Sequence, residues 1–163
     1  MHKCRGNYRG RLPLKVTVTN IDSFSVAYTL PFGNYLPALF EIPFDGQSLA
    51  AALDQNNNTV STSNPVPVRQ VVQLFANGLG PVTNQPASGD PAPANPLAMT
   101  TLTPVVTIGG MNAQVKFSGM TPGNAALYQV NAVVPNTGTG LQAITISIGG
   151  VVSAPSLLPV QPR

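Results

Sequence analysis

The clearest strand signal in the chain is LYQVNAVV, at residues 127–134. Tyr128, Val130 and Ala132 recur with period two and share one face, whereas the polar residues between them share the other. Such alternation is typical of a strand that buries one face. Because two sheets stacked about 10 Å apart each bury one such face, the stretch predicts a layered, all-β domain.

Similar strand patterns cover most of the chain. Gly109-Gly110 and Gly149-Gly150 stand between strands, where a tight turn with positive φ is expected. Residues 77–104 contain six prolines and little alternation, so this segment is predicted to be a surface loop, partly in polyproline II conformation. The predicted strands are 14–19, 24–30, 38–42, 48–53, 71–76, 105–108, 113–117, 127–134, 143–148 and 151–160. The predicted core is Phe40, Leu74, Ile108, Val115, Phe117, Tyr128, Val130, Ile146 and Ile148.

The first 36 residues are predicted to be a separate piece, a basic leader followed by the closing hairpin of a truncated upstream module. Residues 14–19 and 24–30 alternate, and the turn sequence NIDS joins them. The last hairpin of the chain repeats this pattern at an offset of 130 residues, which is the size of a domain. Residues 37–163 then form the next module, and the unpartnered hairpin predicts a homo-oligomer.

Composition and charge restrict the possible functions. The chain has 163 residues, of which 43% are hydrophobic and 8% charged. It lacks a run of 18 apolar residues, so no membrane-spanning helix is predicted. Five of its eight basic residues lie in the first 15 positions, and no nucleic-acid partner is predicted because such a surface needs them on one folded face. The leader also lacks the apolar core of a signal peptide.

The residues needed for nucleophilic catalysis are scarce. The one histidine and the one cysteine are His2 and Cys4, both in the leader, so a preorganised Ser-His-Asp or Cys-His site is not expected. A single cysteine also excludes an internal disulfide. Neither a phosphate-binding glycine loop nor a Gly-x-Ser-x-Gly elbow is present.

The acidic residues are the remaining candidates for chemistry. Glu41, Asp45 and Asp54 fall within 14 residues, and Asp90 lies in the proline-rich segment. Together with nearby asparagines and carbonyl groups, these carboxylates predict an all-oxygen Ca²⁺ site. The alternative interpretation is four isolated, solvated carboxylates on loops and strand edges.

Four motifs, in order along the chain, carry a resemblance to a known family. They are VVQLFANGLGPV at 71–82, VTIGG at 106–110, LYQVNAVVP at 127–135 and ISIGGV at 146–151. These motifs resemble the signatures of an uncharacterised C-terminal domain family of large secreted acidobacterial proteins of the Solibacter type. The similarity runs from about residue 37 to the C-terminus, with Met120 in place of the usual leucine. It implies an immunoglobulin-like β-sandwich in a secreted or cell-surface protein, and it carries over no catalytic residues.

Two functions from different classes follow. The first is a non-catalytic structural or interaction module, adhesive or spacer-like, with a protein or a surface glycan as partner and no cofactor. The second is a Ca²⁺-dependent hydrolase in which the four carboxylates activate water to open a small ester or lactone, such as an N-acyl-homoserine lactone. The apolar, glycine- and proline-rich motifs favour the first. Convergence of three of the four acids in one pocket would favour the second.

Overall fold

The computed structural model describes residues 14–17, 25–30 and 33–163, with the backbone alone at Leu14, Val16, Tyr28 and Leu30. All regular elements in these ranges are strands. These ranges contain no helix that could span a membrane. The chain divides into two compact units, Met1–Gly33 and Asn34–Arg163. The strands are β1 (Leu14–Val16), β2 (Tyr28–Leu30), β3 (Ala38–Leu39), β4 (Glu41–Phe44), β5 (Gln47–Ala50), β6 (Ala52–Leu53), β7 (Val66–Pro67), β8 (Val71–Asn77), β9 (Val105–Ile108), β10 (Met111–Met120), β11 (Tyr128–Val133), β12 (Gly140–Ile148), β13 (Val151–Val152) and β14 (Ser156–Gln161).

In the described part of the first unit, residues 14–17, 25–30 and 33, there is one pair of strands. β1 and β2 pair antiparallel, with Leu14 opposite Leu30, as the alternation predicts. Val26, between them in sequence, is 81% exposed. The predicted basic leader, with His2 and Cys4, and the predicted NIDS turn lie outside the described residues.

The second unit is one mixed, twelve-stranded sheet. Its main path runs β3-β8-β11-β10-β9-β12-β14-β5-β4, while β6 adds to β8, β7 to β14 and β13 to β12. Neighbouring strands pair antiparallel, with two exceptions. β14 is antiparallel to β12 but parallel to β5 and β7. Residues 47–53 pair twice, because β5 lies beside β14 and β6 lies beside β8. This double pairing makes the sheet nearly closed and barrel-like.

Strand β10 joins two groups of strands in this sheet, because it pairs with β9 on one side and with β11 on the other. Its first residues, Met111 to Ala113, pair with β9, and Gln114 to Met120 pair with β11. The register shifts between Val115 and Phe117, which marks a β-bulge. The predicted β9–β10 turn is confirmed, since Gly109 and Gly110 have φ values of 57° and 79°.

The main core lies inside this sheet. Five predicted core residues are buried there, namely Leu74, Ile108, Val130, Ile146 and Ile148, and Val115 and Tyr128 pack against them in part. The prediction for Phe40 is wrong, because it is 44% exposed at the point where the chain passes from β3 to β4. Phe117 is also outside the core. The bulge reverses the alternation of β10, so Ser118 and Met120 are buried while Phe117 is only half-buried opposite Asn131.

The proline-rich segment 77–104 is more ordered than the predicted surface loop. Val82, Ala92 and Ala98 form a second apolar cluster with Met120, and Tyr128 packs against it. Isolated bridges join Val82 to Thr100 and Ala92 to Pro122. Prolines remove backbone donors from this segment, but its small apolar residues still find partners on the neighbouring strands.

Candidate functional site

An open cleft of about 370 Å³ lies where β8 ends and β11 begins. Asn77 lines it from the end of β8, Met120 from the end of β10 and Tyr128 from the start of β11. The remaining walls come chiefly from Asn34 and from the segment 85–90. The long proline-rich connection therefore contributes side chains to the same cleft as the main sheet.

The backbone turns sharply at Gly78, beside this cleft. Its φ of 71° is in the left-handed region, and its carbonyl oxygen accepts a hydrogen bond from the Leu36 amide at 2.9 Å. A methyl group at this position would collide with the backbone carbonyl of Leu36. Only glycine meets both requirements, so Gly78 lets the chain leave β8 directly at the wall of the cleft.

Tyr128 gives the cleft a fixed aromatic ring. Its half-buried side chain packs against both apolar clusters, and its hydroxyl donates a hydrogen bond to the Gly80 carbonyl oxygen at 2.5 Å. Burial raises the pKa of Tyr128 above its ordinary value of 10.0. The phenol is therefore neutral at physiological pH and held in one position.

The segment 85–90 is anchored on both sides. Val82 and Ala92, which flank it, are buried in the second apolar cluster. The Ala92 amide donates to the Asn124 carbonyl at 3.0 Å, and the Gly123 amide donates to the Ala92 carbonyl at 2.9 Å. These contacts hold the two ends of the segment, so the wall of the cleft is shaped before any ligand binds.

Five polar side chains at the cleft are available for a ligand. They belong to Asn34, Asn77, Gln85, Ser88 and Asp90, and all are exposed. Within the described part of the chain, none of the five side chains makes a hydrogen bond. Together they offer amide and hydroxyl donors, and amide, hydroxyl and carboxylate acceptors.

The amides on β8 and β11 outside the cleft are engaged with one another. Gln73 Nε2 donates to Asn57 Oδ1 at 2.8 Å, and Gln129 Nε2 donates to Gln73 Oε1 at 3.0 Å. Gln129 Nε2 also donates to Asn131 Oδ1 at 2.8 Å. The free amides at the cleft therefore differ from the mutually bonded amides of this network.

The four predicted Ca²⁺ ligands lie at different places in the structure. Glu41 is exposed on β4, Asp45 occupies the β4–β5 turn with a φ of 44°, and Asp54 follows β6. Asp90 lines the cleft. Among residues 14–17, 25–30 and 33–163, no three acidic, histidine or cysteine side chains gather at one point. The predicted Ca²⁺ site remains a prediction for these four residues.

Asp54 has a local role in its own turn. Its Oδ1 accepts the Asn56 and Asn58 amides at 2.8 and 2.9 Å, and its Oδ2 accepts the Asn58 side-chain amide at 3.2 Å. The Asn58 amide, above all, holds the pKa of Asp54 below its ordinary 3.8. The ionised carboxylate therefore fixes the turn that leaves β6.

Asp90 was predicted from the sequence as a Ca²⁺ ligand, and it is the one of those four residues that lines the cleft, whereas the other polar residues of the cleft were missed. Asn34, Asn77, Gln85 and Ser88 are spread over 55 positions and share no motif. The one useful signal was the length of the connection 77–104, since long connections in compact domains are often functional. Gln85 and Ser88 reach the cleft because Val82 and Ala92, on either side of them in sequence, pack in the second apolar cluster.

Comparison of the chain with protein-family models, with curated proteins and with solved structures gives no significant match. The proposals for its function therefore depend on the cleft and on the four sequence motifs.

Proposed function

We propose that this chain is a non-catalytic interaction module, adhesive or spacer-like, of a secreted or cell-surface bacterial protein. One observation carries the proposal: five uncommitted polar side chains line the same cleft as a tyrosine ring that is held by a hydrogen bond to the backbone. Pockets with a few placed polar groups and an aromatic surface are the usual form of small-ligand sites. The secreted or surface location rests on the resemblance of the four motifs.

The proposal includes an immunoglobulin-like β-sandwich architecture. It is supported by the way two groups of strands contribute to one core. β3, β6 and β11 each pair with β8. β9, β12, β14, β5 and β4 form a second series, and β10 connects the two groups. A strand that bends from one layer to the other at a bulge is a common device in sandwiches.

The chemistry of the cleft favours binding over bond cleavage. Amides are neither nucleophiles nor bases at neutral pH, and the Tyr128 hydroxyl already donates to the backbone. Such groups hold a ligand without reacting with it. A hydrolase is the second candidate, because Asp90, one of the predicted Ca²⁺ ligands, does line the cleft.

A hydrolysis assay separates these two functions. The purified chain is incubated with N-hexanoyl-homoserine lactone and with 4-nitrophenyl acetate, in CaCl₂ or in EDTA. We expect hydrolysis no faster than in buffer under either condition. Ca²⁺-dependent lactone opening that EDTA stops and that Asp90→Ala abolishes would overturn the proposal in favour of the hydrolase.

Retention on cells tests the interaction itself. We expect the wild-type chain to co-sediment with intact bacterial cells, and the double variant Asn77→Ala/Gln85→Ala to stay in solution. The matched control, Asn136→Ala/Gln55→Ala, changes the same residue types at exposed positions outside the cleft and is expected to co-sediment. Equal retention of all three proteins, or of none, would contradict the proposal.

A further inference from the structure

The ligand class that fits the cleft follows from its size, its hydrogen-bonding groups and its charge. A volume of about 370 Å³ is near the lower end of the ~300–1,000 Å³ found for small-molecule pockets. A ligand of one or two six-membered rings fits such a space. Because the cleft is open, a longer chain of rings can continue beyond it.

The hydrogen-bonding groups match a polyhydroxylated ligand. Each hydroxyl group of a sugar both donates and accepts a hydrogen bond, and neighbouring hydroxyls present these functions side by side. The planar amides of Asn34, Asn77 and Gln85 also present a donor and an acceptor side by side. Because none of these amides is engaged within the described part of the chain, a ligand displaces only water from them.

Tyr128 supplies the apolar contact that such a ligand also needs. A pyranose ring carries C–H groups on its faces, and these pack well against an aromatic surface. The ring of Tyr128 is held by the hydrogen bond to Gly80 and by both apolar clusters. Fixing the ring in advance lowers the entropy lost on binding.

The charge of the cleft favours neutral ligands over anionic ones. Asp90 is the one charged side chain among the described residues that line the cleft, and no lysine or arginine accompanies it there. An anionic ligand such as a uronate, a phosphate or a sulfate would meet this carboxylate without a compensating cation. A neutral ligand can instead use the Asp90 oxygens as hydrogen-bond acceptors.

From these observations we infer that the cleft binds a neutral pyranose unit of an oligosaccharide or polysaccharide. The inference rests on the proposed interaction function and specifies its ligand. Asn77 and Gln85 bind the ring hydroxyls, Tyr128 contacts a ring face and Asp90 accepts a hydroxyl hydrogen bond while disfavouring anions.

Isothermal titration calorimetry with defined saccharides tests this inference. The neutral probes are cellotriose, laminaritriose and maltotriose, and the anionic probe is digalacturonic acid. We expect at least one neutral trisaccharide to bind the full chain and digalacturonic acid to bind at least tenfold more weakly. Asn77→Ala and Gln85→Ala should each weaken neutral binding about five- to tenfold, because each removes hydrogen bonds to the ligand.

Three controls make the result decisive. Asn136→Ala and Gln55→Ala, outside the cleft, should bind like the wild type. Asp90→Asn should raise the affinity for digalacturonic acid relative to that for the neutral saccharides, because it removes the negative charge and keeps an acceptor. Circular dichroism verifies that every variant is folded.

The inference is overturned if all three neutral saccharides fail to bind, if digalacturonic acid binds as well as they do, or if the cleft variants bind like their controls. These failures differ from a failure of the proposed function. Turnover of the lactone would refute the interaction module whatever the saccharides do. Absence of saccharide binding in a chain that still attaches to cells would refute only the ligand class.

Discussion

Leu74 is completely buried on β8, at the centre of the main core. Replacing it with alanine removes apolar contacts and leaves a cavity, since the surrounding strands are held by their own pairing. We expect Leu74→Ala to lower the free energy of unfolding by about 2–5 kcal/mol, measured by denaturant titration. Phe40→Ala is the control, because Phe40 is 44% exposed, and should cost about 1 kcal/mol or less. Similar losses in both variants would contradict this view of the core.

Asp54 predicts a specific dependence of stability on pH. Its pKa in the folded chain lies below the ordinary 3.8, chiefly through the Asn58 amide. Above about pH 5 the carboxylate is ionised in both states, and its stabilising effect is complete. As the pH falls below 3.8 the unfolded chain binds the proton first, so this stability is lost on the way to the folded pKa.

The measurement is the unfolding temperature between neutral pH and pH 2 for the wild type and for Asp54→Asn. The asparagine keeps an acceptor for the turn but does not titrate. We therefore expect the variant to be less stable at neutral pH and to lose less stability on acidification. Parallel curves for the two proteins would show that Asp54 does not contribute to the acid dependence.

At the scale of elements, the strands with regular alternation were predictable. β8, β9 and β11 agree with their predicted ranges within one residue at each end. Alternation failed where the strand itself is irregular. The bulge in β10 moved Phe117 out of the core, and Phe40 is exposed where the chain passes from β3, which pairs with β8, to β4, which pairs with β5. Period-two patterns do not reveal a bulge or a change of pairing partner.

Gly78, at the end of β8, gives a prediction about how this element leads into the cleft. Gly78→Ala combines a φ of 71° with a collision against the Leu36 carbonyl. Gly110→Ala is the matched control, since its φ is 79° and the added methyl meets open space. We expect the control to cost about 1–2 kcal/mol of unfolding free energy. Gly78→Ala should cost a further ~1–3 kcal/mol by denaturant titration. Equal costs would mean that the turn at Gly78 relaxes freely.

At the scale of the whole molecule, long-range contacts explain what the sequence did not reveal. Closure of the sheet depends on residues 47–53 pairing with both β14 and β8, and no local pattern shows that this stretch divides into two strands, β5 and β6, with different partners. The cleft likewise depends on Val82 and Ala92, whose packing brings the segment 85–90 to β11. Composition and alternation predicted the all-β class because they are summed over many residues.

The N-terminal hairpin carries the prediction of a homo-oligomer. Within the first unit Val26 is 81% exposed, so an apolar side chain is open to a partner. We expect light scattering at micromolar concentration to give the mass of a dimer or larger, and Val26→Lys to shift it towards the monomer. Val152→Lys, at a residue of the second unit that is 61% exposed, should leave the mass unchanged. A monomeric wild type, or equal effects of both variants, would refute the prediction.

The most direct test of the interaction function is a two-dimensional ¹H–¹⁵N NMR titration of the full chain with the neutral trisaccharide that binds it most tightly. The same sample is then followed over several days. We predict that the largest shifts fall on the amides of Asn77, Ser88 and Asp90, with the ligand resonances unchanged throughout. Shifts centred on the Gln73 and Gln129 network, no shifts at all, or progressive hydrolysis of the saccharide would contradict a non-catalytic binding cleft.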